Sequence, residues 1–130
     1  MISAPDRALL RDLARQVADI ASQPVMAERR GLWMAHNRLE PGRPLVLVFP
    51  EGAWRELLPE SALGCESAAA REMEAELRRR IYYWEHFRDD TVIERLWEVG
   101  PVLHVSDWGL TPRHIDSPQE TGSWGFDPVL

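Results

Sequence analysis

The chain contains no lysine: all 15 basic residues are arginine. This excludes a Schiff-base lysine and a P-loop lysine. Cysteine is almost missing as well. The single Cys65 cannot close an internal disulfide and fits a reducing compartment, so a cytoplasmic location is expected. Long hydrophobic runs are lacking: the longest, residues 45–49 (LVLVF), falls far short of the roughly 20 residues that cross a bilayer. The N-terminal MISAPDRALLRDLARQ carries Asp6 and Asp12 and no continuous apolar stretch, unlike a signal or transit peptide. Positive charge is in deficit. With 21 acids against 15 bases the net charge is −6, which argues against a nucleic-acid partner and against anionic membranes. The rest of the composition, 45% apolar and 28% charged over 130 residues, is that of one globular domain.

The strongest positive signal is the stretch from 66 to 90, ESAAAREMEAELRRRIYYWEHFRDD. At helical spacing Ala70, Met73, Leu77, Ile81 and Trp84 form one apolar stripe. The other side carries Glu72, Glu74, Glu76, Arg78, Arg79 and Arg80. Glu74 with Arg78, and Glu76 with Arg80, stand at i,i+4 with the acid first, the favourable order. A long amphipathic helix is therefore expected, in need of a surface to pack on.

Before it, Ser3, Pro5 and Asp6 mark a helix start. Leu9, Leu10, Leu13, Val17 and Ile20 then supply an apolar face. Pro24 opens a second helix reaching about Leu39, with Val25, Leu32, Trp33, His36 and Leu39 near one side. EPGRP, residues 40–44, is a turn. The proline-bounded run at 45–49 reads as a strand buried on both faces. PEGAW leaves it as a loop, and residues 54–58 allow one helical turn. Beyond Asp90, residues 91–93, 96–99 and 102–105 are β-rich around Gly100 and Pro101. Residues 106–130 read as an ordered loop excursion, because Trp108, Trp124 and Phe126 favour burial. The apolar WGFDPVL end gives the expectation of a chain cut inside a larger protein.

No histidine pair has zinc-like spacing, and HExxH and CxxC are absent. His36 is expected against the core and His86 near a helix end. Asp89 and Asp90 could be paired acids for catalysis or metal binding, or could cap backbone N–H groups in a turn. Arg78, Arg79 and Arg80 could grip an anion, or form a solvated face with their glutamates. Glu51, Trp54 and Arg55 follow the apolar strand directly, where α/β folds gather ligands. Glu51 could serve as an acid or base and Arg55 as a carboxylate clamp; equally, the loop is a turn and Trp54 a core plug. Asp107 holds the same position after a later strand. These four, Glu51, Trp54, Arg55 and Asp107, are the candidate substrate-binding residues, with no catalytic residue assigned.

The stretches ERRGLWMAHN, RPLVLVFPEGAWRELLP, LRRRIYYWEHFRDDTVIE and WGFDP, in this order, resemble the N-terminal part of uroporphyrinogen decarboxylase-like proteins. That superfamily also holds corrinoid-dependent methyltransferases. The resemblance runs from about Leu13 to the end. It implies an α/β fold, a (β/α)8 barrel preceded by helices, which needs about 250 residues. This chain would then be an α+β fragment: a helical segment over residues 1–42, and the start of the barrel with a β excursion over 43–130. It would be inactive alone. Its parent would be a decarboxylase-like lyase or a methyltransferase. The partner would be a small-molecule substrate or a corrinoid protein, and a homo-oligomer is compatible with it. No cofactor is expected in this chain; a methyltransferase-type parent would use a corrinoid and zinc.

Two departures matter. Decarboxylases of the family follow the first strand with an Arg-Gln-Ala-Gly-Arg type loop that grips tetrapyrrole carboxylates. Here PEGAWR offers only Arg55, with Glu51 where positive charge is wanted. The methyltransferase branch holds zinc through His-x-Cys and a distant Cys, and this chain has no His-x-Cys. The competing reading is a stand-alone α+β binding or dimerisation module, working through an exposed apolar face or a sheet edge. A third is a small hydrolase or lyase using Glu51, Asp107 and a histidine.

Overall fold

A computed structural model describes residues 2–103, 109, 113–116 and 124–127. Helix α1 spans Ala4–Ala21 and α2 spans Pro24–Asn37. A 3-10 turn at Glu51–Ala53 leads into the one-turn helix α3, Trp54–Leu57. A second 3-10 turn, Glu60–Ala62, precedes α4, Ala68–Tyr82, which runs on through a π-helical turn at Tyr83–Phe87. Strands β1, Arg113–Asp116, and β2, Trp124–Asp127, pair antiparallel with His114 opposite Phe126. The described part is thus mostly helical with one small two-stranded sheet, a helix-rich α+β arrangement.

Helix α1 begins where Ser3 accepts the Asp6 N–H at 3.1 Å, the expected cap. Its Leu13, Val17 and Ile20 are buried against Leu77 of α4, together with Met26 and Ile93. Leu9, Leu10, Val25, Ile81, Tyr83 and Trp84 pack around this cluster. The predicted stripes of α1 and α4 are therefore the two faces that meet. Met26, fully buried, is a core residue that the spacing of α2 did not single out. Its sulfur also lies 3.4 Å from the Ile93 N–H.

Helix α2 holds the chain that follows α4. Arg29 donates to the Thr91 carbonyl at 2.9 Å and Trp33 Nε1 to the Asp90 carbonyl at 2.8 Å. Arg30 pairs with Glu94 at 3.2 Å. The π-helical turn stops at Arg88, whose φ of 51° is left-handed, the geometry that ends many helices. His36, expected against the core, is exposed and sets its ring edge-on to Trp33 at 5.7 Å.

Four further expectations are corrected. Residues 45–49 join no ladder and are not buried on both faces: Val46 is 57% and Phe49 71% exposed. Residues 91–93 and 96–99 form no strand; Arg29 of α2 takes the Thr91 carbonyl and Arg80 of α4 the Glu94 and Leu96 carbonyls, where a neighbouring strand was expected. The sheet is the hairpin of β1 and β2, inside the stretch expected to be loop, and there Phe126 is exposed. Glu74 is not on a solvated face but fully buried. The expected strand at 102–105 lies partly, and Trp108 wholly, outside the described residues. No barrel is formed by the described residues. Among them no helix is long and apolar enough to cross a membrane.

Candidate functional site

Two buried carboxylates hold the loops around α4 in place. Asp6 receives the Glu66 and Ser67 N–H groups at 3.1 and 3.4 Å, so a residue of α1 caps the approach to α4. The Glu66 N–H holds its carboxyl below the ordinary range, against the cost of burial. Glu74 receives the Gly64 and Cys65 N–H groups at 2.9 and 2.7 Å and Arg78 Nε at 2.8 Å. Burial opposes its charge, yet these three donors bring its pKa down to about 2. Gly64 lies against α1: a Cβ there would meet Leu9 Cδ2 at 3.2 Å. Burial, then the Glu74 carboxylate, pushes the Cys65 thiol up to about 11, so Cys65 is no nucleophile near neutral pH.

Asp89 and Asp90 do cap backbone, and most of that backbone is distant. Asp89 takes the Thr91 N–H in its own turn at 3.0 Å and the Val48 N–H at 2.9 Å. Asp90 takes the Val46 N–H at 2.9 Å and returns its own N–H to the Val46 carbonyl at 2.9 Å. The Tyr83 hydroxyl donates to the Val48 carbonyl at 2.6 Å. Arg43 closes the arrangement with a two-pronged bond to Asp90. The Arg43 guanidinium, then the Val46 N–H, holds the Asp90 carboxyl well below the usual carboxylate range. Bonds on alternate residues from one side mean that residues 45–49 run extended.

This extended run walls a cleft of about 730 Å³. Leu47 and Phe49 line it together with Trp54, Arg79, Tyr83 and Leu96. Trp54 lines both this cleft and a second hollow. Its ring lies 5.6 Å from Tyr82, 5.8 Å from Tyr83 and 6.3 Å from Phe87. The Arg79 guanidinium sits over it, 5.5 Å from the ring centroid. Arg79 Nε is buried without a hydrogen-bond partner among the described residues. A second hollow is lined by Trp54, Arg55, Leu58, Glu60 and Arg79.

Of the sequence candidates, Trp54 and Arg55 are brought together, and Arg79 joins them. Glu51 lines neither hollow; it is exposed at the head of its 3-10 turn with φ at 47°. Asp107 lies outside the described residues. Arg79 was hidden in an arginine triplet that reads as a solvated face. The signal that finds it is spacing: Tyr82 and Tyr83 follow at i+3 and i+4, on the same side of the helix.

Chemically, the cleft offers aromatic walls, the guanidiniums of Arg79 and Arg80, and the carboxylates of Glu76, Glu94 and Glu98, so it presents charge of both signs beside a flat apolar surface. One of its carboxylates, Glu76, is engaged by Arg80 at 2.8 Å. Burial raises the Tyr83 hydroxyl above its ordinary pKa, and its proton is committed to Val48. Neither residue is placed as a general base. Among the described residues no group of three or more His, Cys, Asp or Glu could hold a metal. The only cysteine is buried beside Glu74, so the donor set expected of a zinc-dependent methyltransferase does not fit these residues. No protein-family model, no curated protein and no solved structure matches this chain.

Proposed function

We propose that this chain is the N-terminal part of a uroporphyrinogen decarboxylase-like barrel protein, of decarboxylase or cobalamin-dependent methyltransferase type. It supplies leading helices and a first strand rather than a complete catalytic centre. The order of its segments supports this reading: ERRGLWMAHN, the LVLVF run with PEGAWR behind it, and LRRRIYYWEHFRDD. One structural observation carries it. Residues 45–49 run extended, with one edge satisfied by Asp89, Asp90 and Tyr83 and the other bonded to none of the described residues. They lead straight to Trp54 and Arg55, which line a hollow. A strand end followed by a binding loop is where barrel enzymes place their sites. The substrate class that suits Trp54, Arg55 and Arg79 is an anion with an apolar body. A cytoplasmic location belongs to the same proposal.

The test is the coding DNA beyond the codon for Leu130. A frame that continues to the roughly 250 residues of a barrel supports the reading. A His-x-Cys in it points to methyl transfer, and its absence to the decarboxylase-like branch. An immediate stop codon in an intact genome, with a stable folded product, overturns it.

The second reading is a binding or dimerisation module without catalysis. Val46, Phe49, Leu96, Val99, Val102 and Leu103 favour it, because all are exposed apolar side chains. A discrete folded oligomer on gel filtration supports this module; an aggregating product speaks for the barrel piece.

A further inference from the structure

The three consecutive arginines of α4 are not equivalent. Arg78 finds Glu74 one turn back at 2.8 Å, and Arg80 finds Glu76 at 2.8 Å. One turn back from Arg79 stands Ala75. At i−3 Arg79 has only Glu76, which Arg80 already holds, and at i+3 and i+4 it has Tyr82 and Tyr83. Its own helix therefore surrounds it with rings instead of a carboxylate. The half-buried guanidinium lies on Trp54, 5.5 Å from the ring centroid, with Nε buried and bonded to none of the described residues. A ring face attracts a cation but does not replace the directed bonds of a carboxylate. A desolvated donor left in that condition is unfavourable.

Trp54 and Arg79 are the two residues that the cleft of about 730 Å³ and the second hollow of about 710 Å³ have in common. Of the cleft's acids, Glu76 is matched by Arg80, and Glu94 by Arg30 at 3.2 Å. Glu98 is exposed to water. An exposed charge gains little from a counter-charge, whereas a desolvated one gains much. Arg79 is thus the charge of the cleft that a ligand serves best. The three acids around it oppose a second negative charge on the same ligand.

We propose that Arg79 is a movable arm that receives the carboxylate of a planar aromatic monocarboxylic acid. In the structure the arm rests on Trp54. On binding, the guanidinium leaves the ring and grips the carboxylate with a two-pronged bond through Nε and one terminal nitrogen. The aromatic body of the ligand takes its place against Trp54. The donor left empty in the resting position is then satisfied. Phosphate esters, which carry more than one negative charge near neutral pH, are disfavoured by Glu76, Glu94 and Glu98. This inference rests on the reading of the site as one for an anion with an apolar body, and is independent of the barrel.

Calorimetric titration of the 130-residue chain with naphthoate, with its neutral amide and with naphthylmethylamine tests it. Naphthoate should bind at least tenfold more tightly than the amide, and the amine most weakly. Arg79→Met should bring acid and amide to equal affinity without lowering the unfolding midpoint, because the resting arm leaves a donor unsatisfied. Arg79→Lys, which keeps the charge but not the fork, should retain only part of the preference. Trp54→Leu should weaken the acid and the amide alike. Equal binding of acid and amide by the wild type overturns the proposal. So does tightest binding of the amine, binding of none of the three, or a preference that survives Arg79→Met and Arg79→Lys undiminished. A failed titration leaves the coding-frame test of the barrel untouched, so the two failures are distinguishable.

Discussion

The helices and the LVLVF run are apolar to different degrees and buried in the opposite order. α1 and α4 carry mixed sequences, yet Leu13, Val17, Ile20 and Leu77 are buried. Residues 45–49 are wholly apolar, yet Val46, Leu47, Val48 and Phe49 are all exposed. A helix satisfies its own backbone, so one apolar stripe is enough to bury it. An extended segment must find partners for every N–H and C=O before it can be buried. Here the described residues supply partners on one side, from side chains and from one loop amide.

That contrast can be broken first at Glu74, which ties the helical half together. Glu74→Ala leaves the Gly64 and Cys65 N–H groups and Arg78 without their acceptor. The expected loss is about 3 kcal/mol of unfolding free energy, read from denaturant titration. The sign of its acid dependence follows from the depressed pKa. A carboxyl easier to ionise when folded stabilises fully above its unfolded value near 4.5, and that contribution is lost as pH falls towards about 2. Wild-type stability should therefore decline below pH 4.5, and Glu74→Gln should flatten that part of the profile. A profile unchanged by Glu74→Gln would show that other acids set it.

Asp90→Asn sharpens the comparison, because it acts on the extended segment alone. It removes the ion pair to Arg43, and the half-exposed arginine screens part of the effect. A global loss of about 1–2 kcal/mol is expected. The decisive readout is local: amide exchange at Val46 and Val48 should quicken while α1 and α4 keep their protection. Equal acceleration in the helices would mean that the segment is part of one cooperative unit with them. The smallest effect is expected at Ser3→Ala. It removes the cap of α1 and should cost about 1 kcal/mol, with no change at Val46 or Val48.

Much of the helical half was legible because its determinants are local. Ser3, Pro24, the stripes of α1 and α4, and the two glutamate–arginine pairs on α4 all sit within a few residues of what they act on. The candidate site was legible in part. Trp54 and Arg55 stood out by following an apolar run, but Arg79 came from a helix that begins after them in sequence. The β stretch was misread because branched residues at 91–99 signal strand, and nothing local shows that arginines from α2 and α4 would take their carbonyls.

The sequence by itself determined where the helices start, which faces they hide, and that the chain carries excess negative charge, because spacing and composition act without reference to distant residues. Only the tertiary structure decided that Glu74 is buried, that Asp89 and Asp90 act as half of a strand for Val46 and Val48, and that the most apolar run stays exposed. Those outcomes depend on which backbone groups find partners across 9 to 44 residues of chain, and a hydrogen bond over that distance leaves no periodic trace in the sequence.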